Sequence, residues 1–235
     1  MGMANAKKRK VYAAVIGALI LAWGAAAPVR AASYPQVPIA QYRMDRTAEI
    51  ALARSAAPPS ISGDATVLVL GAAGYEVAAQ GKNGFTCLVE HSWNSSFDDP
   101  EFWNPKIVAP ICFNAAATKS VLPDYLGRTK GVIAGASVTQ IHDRIRAEVA
   151  SGLYGVPAPG SMCFMMAKGG YLSDAAGGHW QPHLMYFLPK ADAAAWGANL
   201  PGSPVMAAQG DPEPVTVYFV PVPAWSDGTM APMGM

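Results

Sequence analysis

The sequence has 235 residues, of which 51% are hydrophobic and 14% charged, and its formal net charge is +1. A chain of this length and composition forms one globular domain or at most two. After the basic N-terminus no cluster of Lys or Arg recurs, which excludes the positively charged surface that nucleic-acid binding requires.

The N-terminus has the pattern of a secretory signal peptide. Basic MGMANAKKRK precedes the apolar run VYAAVIGALILAWGAAA and then APVRAAS, where Val29 and Ala31 form a small-residue cleavage pattern. We predict a leader over 1–31, an exported chain that is periplasmic or secreted, and no later membrane span. The apolar run could instead remain as an uncleaved anchor. The leader contains five of the 17 basic residues and no acidic residue, so its removal leaves a net charge of −4.

Residues 32–228 are predicted to form a single α+β domain. Asp45 can cap a helix through AEIALARSA. Strand-like runs separated by the tight turns GAAG and GKNG follow at 65–70, 75–80 and 85–93. Such short turns favour antiparallel pairing.

The rest of the chain alternates between a long loop, helices and strands. The prolines of 94–113 predict a long ordered loop, and Ser137 with Gln140 predicts a capping box at the start of the clearest helix. Further strands are predicted at 162–167, 183–189 and 215–222, before a frayed tail over 229–235. The order predicts a largely antiparallel sheet of five to six strands, with helices packed on one side and long ordered loops over the other.

The chain has three cysteines, Cys87, Cys112 and Cys163. At most one disulfide can form within the chain, and the sequence alone leaves all three pairings open. We favour Cys87 with Cys112, because that bridge would close the intervening loop. Three reduced cysteines that pack as small apolar residues are an equally good interpretation.

The stretch GHWQPHLMYFLP, at 178–189, places His179 and His183 four residues apart. Zinc proteases use this spacing on a helix, with Glu directly after the first histidine. Trp180 occupies that position here, and Pro182 would break a helix. In an extended segment the two histidines would lie roughly 13 Å apart, so a shared zinc ion requires a turn between them.

A zinc site would need a third protein ligand, for which His91 and Asp174 are the candidates. The alternative is that His183 begins a buried strand and that His91 is a hydrogen-bonded core residue.

The segment WNSSFDDPEFWNP combines carboxylates with aromatic rings. Asp99 and Glu101 stand close to Trp103, and this combination is typical of sugar-binding sites, where rings stack on the sugar and acids accept hydroxyl hydrogen bonds. The alternative is structural, since aromatic residues also anchor long loops to a core.

Four segments, GFTCLVEHSW, DPEFWNPKIVAPICFN, HWQPHLMYFLP and WGANLPGSPV, resemble a family of predicted exported bacterial proteins of unknown function. The resemblance extends over roughly 45–228 and implies an exported, single-domain protein without carrying over an activity. It also implies Arg in relatives at the position of His91, which weakens His91 as a ligand, and HWHPH around His179 and His183.

These patterns lead to two hypotheses about function. In the first, the protein binds a small molecule or an envelope component in a mouth between the 94–113 and 171–183 loops. The predicted lining residues are Trp103, Trp180, Asp99, Glu101, His179 and His183. In the second, it is a zinc-dependent hydrolase whose ligands are His179, His183 and His91. The sequence does not decide between an enzyme and a binding protein. No feature of the sequence specifically supports a third possibility, a purely structural role in the envelope.

Overall fold

The computed structural model describes residues 34–175, 177–178 and 181–232. Its strands are β1 Thr66–Gly71, β2 Gly74–Ala79, β3 Thr86–Glu90, β4 Ala109–Phe113, β5 Met162–Met165, β6 His183–Pro189, β7 Met206–Gln209 and β8 Val215–Pro221. Its α-helices are α1 Arg46–Arg54, α2 Pro59–Ser62, α3 Ala115–Ser120, α4 Leu122–Ile133 and α5 Val138–Ala150. The fold is an α+β domain, as predicted.

All eight strands belong to one sheet, in the order β2-β1-β3-β4-β5-β6-β8-β7. The pairing of β1 with β3 is parallel and the other pairings are antiparallel. The sheet is therefore mostly antiparallel, as expected, but the predicted count of five to six strands is wrong.

Two strands, β4 and β7, were not predicted from the sequence. Strand β4 lies in the segment predicted to be a long loop, and β7 lies between the last two predicted strands. Pro110 is within β4 and lies opposite Val89 of β3. On its other side β4 pairs with β5 only at Cys112 and Phe113, so Pro110 occupies a position where a missing N–H breaks no hydrogen bond to β5. The four-residue strand β7 is at the sheet edge and pairs only with β8.

Helices cover both faces of the sheet, which corrects the predicted arrangement of helices on one side and loops on the other. Helix α1 packs on β1, β3 and β4, in a cluster that includes Ala53, Val67 and Val89. Helices α3 and α4 pack on the opposite face, in a cluster that includes Leu88 and Ile111. Successive residues of a strand point to opposite faces of the sheet. Both faces of β3 are covered, so its sequence lacks the alternation of apolar and polar residues seen in a strand with one face in solvent.

The helix starts are those that the sequence indicates. The Asp45 carboxylate accepts a hydrogen bond from the Ala48 backbone at 2.9 Å at the start of α1. Ser137 and Gln140 form the predicted capping box of α5. Among the described residues, no helix is long and apolar enough to cross a membrane.

A disulfide joins Cys87 of β3 to Cys112 of β4, two residues that lie directly opposite each other in the ladder. This is the pairing favoured from the sequence. Cys163 is free and buried, and burial raises the pKa of its thiol well above the usual value. Near the C-terminus, the backbone N–H of Ala231 donates to the Pro223 carbonyl at 2.8 Å.

Candidate functional site

A cavity of about 690 Å³ lies on the sheet face that α3 and α4 cover. Its floor is formed by side chains that alternate along two neighbouring strands, Met185 and Phe187 of β6 and Val217 and Phe219 of β8. Met185 pairs with Phe219, and Phe187 pairs with Val217, so the four side chains form a continuous apolar surface. The volume is typical of a small-molecule binding site.

The walls and rim come from other parts of the chain. Helix α4 contributes one wall, and β3 ends at the cavity with Glu90. Loop residues complete the rim, including Asn94, Asp99, Leu172, Ser173, Gln181 and Asp211. The site is therefore apolar along the sheet and polar where β3 and α4 meet.

Arg128 of α4 is the centre of the polar end, and its guanidinium contacts four protein groups. One terminal nitrogen donates to the Ser95 carbonyl at 2.7 Å, and the other donates to the Glu213 carboxylate. Its Nε lies 3.2 Å from the Asp124 carboxylate but has no hydrogen-bond partner among the described residues. The guanidinium carbon is 4.2 Å from the centre of the Phe97 ring, which adds a cation–π contact.

Two buried carboxyl groups share this single cation. Burial raises the pKa of Asp124 to about 7; the Arg128 charge opposes this rise, and the Glu213 carboxyl adds to it. One oxygen of Asp124 has no hydrogen-bond partner among the described residues. Near neutral pH the Asp124 carboxyl is therefore partly protonated.

Glu90 is the most unusual acid of the cavity, because no hydrogen bond to its carboxyl is formed by the part of the chain that the structure describes. Burial raises its pKa to about 8, although Arg128 opposes the rise. The side chain lies deep in the protein yet keeps some accessible surface, because it borders the cavity. At neutral pH this carboxyl is mostly protonated and can donate a hydrogen bond into the cavity.

His91 lines the cavity as a neutral, inward-packed imidazole. Its Nδ1 lies 3.2 Å from the Ile107 carbonyl oxygen, which can only accept, so Nδ1 carries the proton. Its Nε2 is buried without a hydrogen-bond partner among the described residues, and burial lowers the pKa of the ring to about 4. The ring stacks obliquely on Trp93, with centroids 4.9 Å apart. No ring nitrogen is open to the cavity, which argues against His91 as a metal ligand.

His183 also lines the cavity, at the start of β6. Burial lowers its pKa, and its Nδ1 lies 2.7 Å from the Gln181 carbonyl oxygen. His179 and Trp180, the other predicted members of this site, lie outside the described residues. Across the described ranges, no three His, Cys, Asp or Glu side chains are grouped so that they could hold a metal ion.

Glu101, predicted to bind a ligand, instead joins the two long loops. Its buried carboxylate accepts hydrogen bonds from the Ser173 hydroxyl at 2.5 Å and the Asp174 backbone at 2.8 Å, and from Asn104 at 2.8 Å. Burial alone would raise the pKa of Glu101, but these hydrogen bonds hold it below its usual value. Asp174, the other candidate third ligand, forms an ion pair with Lys106.

Trp103 and Asp99 are also accounted for by loop structure. Trp103 packs edge-to-face on Phe102 at 4.9 Å and is not among the residues around the cavity. Asp99 does lie at the rim, where its carboxylate accepts from the Glu101 backbone at 2.7 Å. The structure therefore brings Asp99, His91 and His183 to one cavity, and places Trp103 and Glu101 outside it.

The residues that define the polar end were not predicted from the sequence. Asp124 and Arg128 are four residues apart on one helix face, a spacing that ordinarily indicates a solvated ion pair. Glu90 stands out only as an acid within a strand whose other residues are all buried. Comparisons with protein-family models, curated proteins and solved structures found no match for this chain. A function must therefore be argued from the cavity.

Proposed function

We propose that this protein binds a small molecule that is apolar along most of its length and carries a polar group at one end. The observation that carries the proposal is the cavity of about 690 Å³ between the β6–β8 floor and α4. Protein interiors are close-packed, and voids larger than a water molecule are few and costly. A cavity of this size next to unpartnered polar groups does not stabilise the fold, but it could hold a bound small molecule.

The polar end supports the same conclusion. One buried oxygen of Asp124 lacks a hydrogen-bond partner among the described residues, and the partly accessible side chain of Glu90 borders the same cavity. Unpartnered buried polar groups destabilise a fold. A ligand that formed hydrogen bonds with them would remove this destabilisation and so bind more tightly. Both loops that were predicted to form a mouth contribute to the cavity, with Asp99 from 94–113 and Ser173 and His183 from 171–183.

Filling the cavity should abolish ligand binding. We expect Val217→Trp to weaken binding of the neutral fluorescent probe N-phenylnaphthylamine by about tenfold or more, because the indole would occupy the floor beside Phe187. Val77→Trp is the matched control, since Val77 is a strand valine that is 53% exposed and outside the cavity. Fluorescence titration measures both. Absence of probe binding to the unmodified protein, or equal binding by both variants, would refute the proposal.

A second candidate function, a metal-dependent hydrolase, is favoured by one observation. His183, half of the HWQPH pair, lines the same cavity and burial lowers its pKa, and a neutral imidazole is the form that binds metals. His179 would be the second ligand, with a third group still to be found.

Elemental analysis of the purified chain tests this candidate. A metal-dependent enzyme should carry about one equivalent of zinc that His183→Ala removes. His142→Ala serves as the control, because His142 contacts Asp143 and Arg146 on α5. Metal retained in His183→Ala would eliminate the HWQPH site.

We also propose that the protein is exported and belongs with the exported bacterial proteins that its motifs resemble. The Cys87–Cys112 disulfide supports export, because such bridges persist mainly outside the reducing cytosol. We expect the exported chain to begin at Ala32, after cleavage of the leader. Mass spectrometry of protein from the periplasm or medium would show this, and an intact N-terminus would favour the anchor instead.

A further inference from the structure

We infer that the occupant of the cavity is an amphipathic cation, an apolar group carrying an ammonium that lies beside Glu90. This inference rests on the proposed binding function and specifies its ligand class. The first argument is the charge of the lining. The described residues around the cavity include five acids, Glu90, Asp99, Asp124, Asp211 and Glu213, and a single permanent cation, Arg128.

The second argument is that two acids already lie against Arg128. Its guanidinium contacts the Glu213 and Asp124 carboxyls as well as the Ser95 carbonyl. A carboxylate or phosphate brought to Arg128 would lie next to both acids, and displacing either acid from the guanidinium would be unfavourable. The surroundings of Arg128 therefore favour a cationic head group over an anionic one.

The third argument is the position of Glu90. It lies at the end of β3, where the apolar surface meets the polar end, and it borders the cavity without a hydrogen-bond partner among the described residues. An ammonium placed there would favour the ionised form of the Glu90 carboxyl, which would then accept charge-assisted hydrogen bonds from it. Asp124, with one unpartnered oxygen, offers a second acceptor on the neighbouring wall.

The fourth argument is the apolar floor. Met185, Phe187, Val217 and Phe219 are uncharged and contiguous, so they suit an alkyl or aryl group and not a second polar group. Flexible Met and flat Phe side chains accommodate apolar groups of varied shape. A simple inorganic cation would leave this surface unfilled, whereas an alkylammonium fits both parts.

Competition among three probes with the same chain tests the inference on the unmodified protein. Octylamine, which like a lysine side chain is protonated at pH 7, octanoate and octanol are each titrated against bound N-phenylnaphthylamine. We expect octylamine to displace the probe at concentrations about tenfold lower than octanol, and octanoate to be the weakest. Equal potency of the three, stronger displacement by octanoate, or displacement by none would overturn the inference.

The Glu90→Gln variant identifies the group responsible. We expect it to lose about tenfold of the preference for octylamine over octanol, measured as the ratio of the two displacement concentrations in the same variant. The matched control is Glu76→Gln, a strand glutamate with an exposed side chain away from the cavity, which should keep the full preference. A preference retained by Glu90→Gln would overturn the role of Glu90. Binding of the neutral probe, and its loss in Val217→Trp, tests the proposed function. The order of potency of the three competitors tests only the charge of the ligand, so the two proposals can fail separately.

Discussion

Replacing Arg128 with methionine is expected to lower the free energy of unfolding by about 3–5 kcal/mol, a large fraction of the stability of a typical domain. Methionine keeps most of the side-chain length, so the main change is electrostatic. The carboxyls of Asp124 and Glu213, both buried around Arg128, would lose their only close cation. Urea denaturation at pH 8 measures the effect.

The stability lost in Arg128→Met should become smaller as the pH falls. This pH dependence distinguishes the loss of an electrostatic interaction from a packing defect. Burial raises the pKa of Asp124 and Arg128 opposes the rise. Without Arg128 the Asp124 carboxyl would therefore bind its proton more tightly in the folded than in the unfolded protein, so acid favours the folded state. At pH 5 the destabilisation should be clearly smaller than at pH 8. Arg146→Met, on an exposed arginine of α5, should change stability by no more than about 0.5 kcal/mol. A loss independent of pH would indicate a packing defect instead.

Replacing Glu90 with glutamine should have the opposite effect and stabilise the protein by about 2–3 kcal/mol at pH 7. The pKa of Glu90 is about 8 in the folded protein, compared with an ordinary value of 4.5. Unfolding between these pH values therefore releases a proton, and a rising pH favours the unfolded state. Glutamine has no proton to release, so the variant avoids this loss.

The pH profile of the difference is the decisive measurement. The advantage of Glu90→Gln should be absent below about pH 4, grow between pH 4.5 and 8, and stay constant above that range. Glu90 interacts electrostatically with Arg128, Tyr125, Tyr75 and Cys163. Burial raises the pKa of both tyrosines and of the cysteine in the folded protein, so their titration does not alter the expected stability difference between pH 4.5 and 8. A Glu90→Gln variant less stable than the parent at pH 8 would contradict the prediction. Stabilisation on loss of a site residue is a common sign of function.

The features predictable from the sequence are those set by neighbouring residues. The capping box at Ser137, the cap at Asp45 and the hairpin turn between β1 and β2 each depend on a few adjacent side chains, and each is present. Strand β4 was missed because Pro110 ordinarily interrupts a sheet. Whether a proline is tolerated depends on which edge of the strand is paired, and that is a property of the assembled sheet.

The site shows the same limit more strongly. Arg128 and Glu213 are 85 residues apart in sequence yet form an ion pair. No pattern of neighbouring residues predicts this contact. Glu101 and Trp103 were predicted to bind a ligand because acids beside aromatic rings are typical of sugar sites. In the folded protein the backbone N–H groups of Asp174 and Ala175 donate to the Glu101 carboxylate, so this acid satisfies loop backbone groups.

The disulfide has a consequence for the covalent connectivity of the protein. Cys87 and Cys112 enclose the segment that carries His91, Asn94 and Asp99 to the cavity. A protease that cut one peptide bond inside this ring would leave the two fragments joined through sulfur. The nicked chain would keep its mass, apart from one added water, until a reductant separated the pieces. The rim of the cavity can thus lose its continuous backbone while every part of the fold stays attached.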